Sequence, residues 1–371
     1  MQKTDLVADF TRVQRAIENG INRQLHSCVQ VYLSIDRQVV LNQGFGLATP
    51  DTPCDHNTMM LWRSAGKPIT AAAICQAWQE GKLSLNSKVG DLLPTAKPPV
   101  QDITIHQLLT HESGLPLINT GWPQSDWATT VSQILSIQES TNDAAYQPQS
   151  TWFLLGEILQ QIDSQQRPFA QILQQDLLQP LGMNNSFCGV PESEQSKHQF
   201  PNYYVRERGN AVASNFSAGP WLTRPSPGGN MRGPVSDLGR FYEMMLAAGM
   251  TVHQKRFLAE PTVAAMTATH RRSKFDKTLQ HVVDMGLGFH INSNLHGPDT
   301  VPYGFSSHCS EKTFGHGGSQ CAIGFCDPQQ KLVVAWAANG FCGEGQHQRR
   351  NRDINQAIYE DLGLAKTTTP S

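Results

Sequence analysis

No run of about 20 apolar residues occurs anywhere in this 371-residue sequence, so no segment has the length and composition of a transmembrane helix. Charge of one sign is also scarce. Twenty-nine basic residues face 31 acidic ones, and Lys and Arg gather only in pairs such as Arg271-Arg272 and Arg349-Arg350. That excludes the basic stripe of a nucleic-acid binder, and neither nucleic acid nor a membrane is expected as a partner. No polar tract or repeat interrupts the chain, and 39 % apolar against 16 % charged residues describes an ordered globular protein. The opening "MQKTDLVADFTRVQ" lacks the apolar core of a secretory signal, so the expected location is cytoplasmic. Eight cysteines include no C-x-x-C pair and no regular framework, and reduced thiols are expected. G-x-S-x-G, H-E-x-x-H, G-x-x-x-x-G-K-[ST] and G-x-G-x-x-G are all missing, and the 13 histidines form no metal-like cluster. No cofactor and no metal is implied.

What is present is a pattern that changes along the chain. Residues 5–24 carry Leu6, Phe10, Val13, Ile17 and Ile21 at helical spacing. "CVQVYLSI" and "QVVLNQGFGLA" then read as a β-hairpin, and "MGLGFHI", "CAIGFCD" and "KLVVAWAAN" read as strands near the other end, before a helix "RDINQAIYEDLG". Between them, "SAGKPITAAAICQAWQEG", "TIHQLLTH", "STWFLLGEILQQI", "FAQILQQDLLQPLG" and "VSDLGRFYEMMLAAG" read as helices, opened by capping residues or stopped by Gly or Pro. The length exceeds what one core comfortably holds. The expected architecture is α+β: an antiparallel sheet built from both chain ends (1–64 and 281–371), flanked by the terminal helices, with a mostly helical insertion (65–280). A cleft between the two is the expected ligand site.

Ser64 lies where the sheet segment hands over to the insertion, three residues before Lys67 in "LWRSAGKPIT". With 26 serines and 12 lysines in the chain, about one Ser-x-x-Lys arises by chance, so the spacing alone carries little. Two readings compete. Either Ser64 caps a helix and Lys67 points into water, or Lys67 is a neutral amine that activates the Ser64 hydroxyl as a nucleophile. Burial and the positive end of a helix would both favour the neutral amine.

In order and spacing, "LWRSAGKPIT", "ITIHQLLTHESGLP", "PLGM", "GLGF" and "FGHGGSQCAIGFCDPQQKLVVAWAANG" resemble the serine β-lactamase and penicillin-binding-protein-like hydrolases, specifically the class C β-lactamase and serine esterase branch. The likeness covers roughly residues 25–345. It implies that Ser64 is the nucleophile and Lys67 its activating base. It also implies a proton-handling tyrosine, best matched by Tyr146 in "AAYQPQSTWFLLG", and a cleft-lining motif matched by His316-Gly317-Gly318. The NH groups of Ser64 and Ser319 would then form the oxyanion hole. Lys312-Thr313 is a rival match for the third motif, but Phe314 follows it instead of glycine.

Two departures from the family pattern bear on substrate. Pro148 stands where the family's Tyr-x-Asn motif has asparagine, and His316 stands where it has lysine. Substrates bearing an amide and a carboxylate thereby lose two family contacts, while esters do not. The expected function is a serine hydrolase that cleaves a small acyl substrate, ester-like, through an acyl-enzyme. A β-lactamase, a D-amino-acid amidase or peptidase, an acyl transferase, and a non-catalytic binding protein of the same fold remain rivals. Trp122 and Trp127 are either acyl-pocket walls or packing residues, and "SPGGNMRGPVSD" (226–237) is either a second rim of the cleft or a turn. The sequence fixes no oligomeric state.

Overall fold

The computed structural model describes residues 9–297 and 303–366. The chain enters through α1, Thr11–Asn22, with Val13 and Ile17 fully buried. The helical periodicity begins at residue 5, but among the described residues the helix starts at Thr11, and Leu6 lies outside them. Strands β1 (Cys28–Ile35) and β2 (Gln38–Thr49) follow, then the short β3 (Thr52–Pro53). Asp36 and Arg37 join β1 to β2 with φ of +48° and +64°, the two-residue left-handed turn that suits the twist of paired strands.

The middle of the chain supplies α2 (Lys67–Gln79), α3 (Ser150–Ile162) and α4 (Val235–Leu246), with shorter helices between them. Pro68 sits in the first turn of α2, where its missing N–H leaves no helical bond unmade. This region is not purely helical. Met60–Leu61, Met231–Gly233 and Phe187–Cys188 pair into a small sheet, and Tyr203–Glu207 pairs with Asn210–Ser214. Runs of two to five residues are too short for alternation to reveal them.

The far end returns as β4 (Asp284–Met285), β5 (His290–Ile291), β6 (Phe314–Gly318), β7 (Ala322–Asp327), β8 (Leu332–Ala338) and α5 (Glu344–Asp361). "MGLGFHI" reads as one strand but folds as two, because Gly288 turns at φ +77°. A side chain on Gly288 would meet Ala71 at 2.4 Å. Helix α5 begins at Glu344, ahead of the Arg352 expected from its periodicity, since the first turns are almost wholly polar.

One antiparallel sheet in the order β4-β5-β6-β7-β8-β1-β2-β3 unites both chain ends, with Tyr32 of β1 opposite Ala335 of β8. Alternation along the strands divides its side chains between two cores. Val29, Val31, Leu33, Phe325, Val334 and Trp336 pack on α1 and α5 through Val13, Ile17, Ile354 and Ile358. Tyr32, Val333, Ala335 and Ala337 face α4 and the helices beyond it. Two glycines set the closeness of that second face: a Cβ on Gly239 of α4 would strike the Tyr32 ring at 2.3 Å, and one on Gly324 of β7 the Tyr242 ring at 2.4 Å. All eight cysteines are buried and free. Among the described residues no helix is long and apolar enough to cross a membrane.

Candidate active site

The site starts from a strained turn. Arg63 takes φ +49°, a backbone region that costs a non-glycine residue on the order of 1–2 kcal/mol. Its guanidinium lies 4.4 Å from the Phe216 ring centroid, 5.0 Å from Trp221 and 5.2 Å from Phe341, an aromatic box that offsets the strain. Arg63–Gly66 forms a single 3-10 turn that runs into α2, with Ser64 half-buried upon it. Strand β6 passes this turn backbone to backbone. A Cβ on Gly318 would lie 2.0 Å from the Trp62 carbonyl oxygen, so only glycine lets Ser319 come alongside Ser64.

Lys67, the first residue of α2, is wholly buried, with its Nζ 3.0 Å from Ser64 Oγ. The same nitrogen donates to the carbonyls of Pro148 at 2.6 Å and Gly228 at 2.5 Å. No carboxylate is among these partners. Burial pushes the amine well below the ordinary lysine range. The two carbonyls, and the Tyr146 and Trp152 rings each 5.2 Å away, pull in the opposite direction. A neutral amine in this cradle spends its two N–H groups on the two carbonyls and turns its lone pair to the Ser64 hydroxyl. The 226–237 segment, a possible rim by sequence, thus lies behind the lysine: Pro227 accepts from Thr70 Oγ1 and Gly228 from Lys67.

Tyr146 is buried in a loop just before α3 and lines the same cavity as Ser64. Burial raises the phenol above its ordinary value; the Ser64 hydroxyl lowers it less, and the Asp276 and Glu344 carboxylates add to the rise. Tyr146 is therefore a protonated phenol at neutral pH. Its loop is held by groups that the sequence does not advertise. Arg271 and Asp276 form a fully buried ion pair at 2.9 Å. Asp276 accepts from the Tyr146 N–H at 3.0 Å, and Arg271 donates to the carbonyls of Thr110 and His111. His111 accepts the Gln147 N–H at Nδ1 (2.9 Å), and its ring centroid lies 4.5 Å from that of Tyr146.

A cavity of about 370 Å³ opens over Ser64, Tyr146, His316, Gly317 and Ser319, with Pro148 on its wall. His290 of β5 also lines it and stacks on His316, ring centroids 4.3 Å apart. His316 donates from Nδ1 to the Gly317 carbonyl at 2.7 Å, leaving Nε2 as a bare buried acceptor. Burial holds His316 well below the usual histidine range and pulls His290 to about 4. Both rings are neutral at pH 7. Lys312 is exposed and outside the cavity. Trp122 and Trp127 are packing residues: Trp122 meets Trp221 edge-on, and Trp127 stacks on Phe169 and bonds Glu157.

The model of the family described as Beta-lactamase matches residues 13–358. The chain belongs to the beta-lactamase family. It is 26 % identical over 193 residues to Esterase EstB of Burkholderia gladioli, a match spanning 44 % of this chain and 47 % of the esterase, about half its length. A penicillin-binding-protein homologue from Caulobacter crescentus superposes with a TM-score of 0.75 at 21 % identity, over 96 % of this chain and 98 % of that one. A family VIII carboxylesterase gives 0.76 at 20 % identity, over 95 % and 97 %. At such identities the structural likeness is one of fold.

Proposed function

We propose that the chain is a serine hydrolase that cleaves esters through an acyl-enzyme on Ser64. The observation that carries this reading is the Lys67 amine, buried, 3.0 Å from Ser64 Oγ and without a carboxylate among its partners. A paired lysine would stay charged and could take no proton; an unpaired, desolvated one can. In the reaction, Lys67 takes the Ser64 proton as Oγ attacks the ester carbonyl. The N–H groups of Ser64 and Ser319 receive the oxyanion, and Tyr146, protonated at rest, gives its proton to the departing alkoxide. Lys67 then returns a proton to Tyr146. Water enters, the same groups deprotonate it, and attack on the acyl carbon releases the acid and restores Ser64.

Two features support esters over β-lactams and D-alanyl peptides. His316 is neutral, so a substrate carboxylate meets no fixed positive charge in the cavity wall. Pro148 offers no side-chain group to a substrate amide, and its carbonyl is already engaged by Lys67. Fluorophosphonate labelling and p-nitrophenyl ester turnover in wild type and Ser64→Ala test the proposal. Both are expected to vanish in the variant. Equal labelling and turnover in the two proteins would remove Ser64 as nucleophile.

A further inference from the structure

Among the described residues the cavity over Ser64 carries one formal charge, and it is negative. No described Lys or Arg lines it, and its two histidines are held neutral by burial. Glu344, the first residue of α5, is exposed on its wall. One carboxylate oxygen, Oε2, accepts from Tyr303 at 2.5 Å. The other, Oε1, has only long contacts, 3.3 Å to Ser319 Oγ and 3.3 Å to Gln320 Nε2. No cation among the described residues pairs with it. Two aromatic rings, Tyr146 and Tyr303, line the same space, and Tyr303 lies directly against Gly317, where a Cβ would meet it at 2.6 Å.

The geometry points to a substrate that carries an ammonium group close to the reacting carbonyl, held by the Glu344 carboxylate in a cavity whose wall also carries the Tyr303 and Tyr146 rings. This rests on the reading of Ser64 as the nucleophile and adds the substrate class. A carboxylate that no cation of the described residues neutralises, beside aromatic rings, is a cation site in chemical terms. The same charge repels an anionic substrate, so discrimination comes from attraction and repulsion together.

The test compares two pairs of esters that differ only by replacing N⁺ with C. Acetylthiocholine is set against 3,3-dimethylbutyl thioacetate, with the charge on the leaving group. Betaine ethyl ester is set against ethyl 3,3-dimethylbutanoate, with the charge on the acyl group. For each pair the ratio of kcat/KM, cationic over neutral, is measured in wild type and in Glu344→Gln, and the quotient of the two ratios cancels intrinsic reactivity. A quotient of about five in at least one pair is expected, the upper range for an ion pair open to solvent. It should shrink with added salt, persist in Glu344→Asp and fall below that of Glu344→Gln in Glu344→Lys. A quotient of one in both pairs, or no turnover of either cationic ester, overturns the inference. Failure of the underlying reading looks different: Ser64→Ala would still hydrolyse the neutral esters.

Discussion

Two buried basic side chains, Lys67 and Arg271, keep opposite company. Arg271 has a carboxylate, Asp276, at 2.9 Å, and both side chains are shut off from water. Lys67, equally buried, has a hydroxyl and two carbonyls and no carboxylate. Burial lowers both groups, but Asp276 pushes Arg271 back up, while Lys67 has no such counterweight. The first pair is a fixed charge that anchors a loop. The second has no counter-charge among the described residues, and in the proposed reaction it is the proton acceptor. On that proposal one protein makes a strut and a base from the same kind of burial by granting or withholding one carboxylate.

Removing the base should have the largest effect. Lys67→Met is expected to lower kcat/KM on p-nitrophenyl esters by roughly 10³–10⁴, at the top of the range for a positioned proton acceptor. The wild-type rate should climb with pH as Lys67 loses its proton, and stopped-flow acylation across pH would show that limb absent in the variant. Turning the strut into an unpaired cation comes next. Asp276→Asn should destabilise the fold by about 3–5 kcal/mol, since it strands a buried guanidinium, and urea melts would read the loss directly.

Acid tests the neutral histidines of the cavity wall. His290 has a folded pKa of about 4 against 6.5 in the open chain. The unfolded state therefore binds its proton first as pH falls. The stability His290 contributes is full above about 6.5 and is lost as the pH drops towards 4, on the order of 3 kcal/mol. His290→Gln should flatten that part of the profile when melts at pH 7 and 4.5 are compared. The smallest change expected is that of Pro148→Asn. The carbonyl that holds Lys67 is backbone and survives, so ester turnover should stay within a few-fold while nitrocefin hydrolysis rises; unchanged nitrocefin turnover would mean that Pro148 does not set the preference.

What could be read without coordinates was whatever is written locally. The alternation of "CVQVYLSI" and the span of "STWFLLGEILQQI" match β1 and α3 residue for residue. Ser64, Lys67, Tyr146 and His316 stood out because each sits in a short motif, and the fold gathers them around one cavity. The strut was invisible. Arg271-Arg272 reads as a surface charge pair, yet Arg271 is 1 % exposed, and no local pattern announces a partner five residues away that ties back to residue 146. His111-Glu112 lies in "LLTHESGLP", a segment whose role by resemblance is structural, but the contact of His111 with Tyr146 spans 35 residues and was not legible; His111 itself takes a left-handed backbone, φ +58°. Of the two readings left open for 226–237, the structure takes the turn, at residues 227–229, because glycine spacing says that something approaches closely but not from which side. Gly228 admits the Pro148 carbonyl and Trp152.

The aromatic box around Arg63 gives the proposed nucleophile an address outside its own cavity. Phe216, Trp221 and Phe341 do not line the cavity, yet they grip the residue whose twisted backbone precedes Ser64. For the proposed reaction these three rings are a tuning screw set apart from the lock: a change in them would alter the pitch of the Ser64 oxygen while leaving the cavity wall alone.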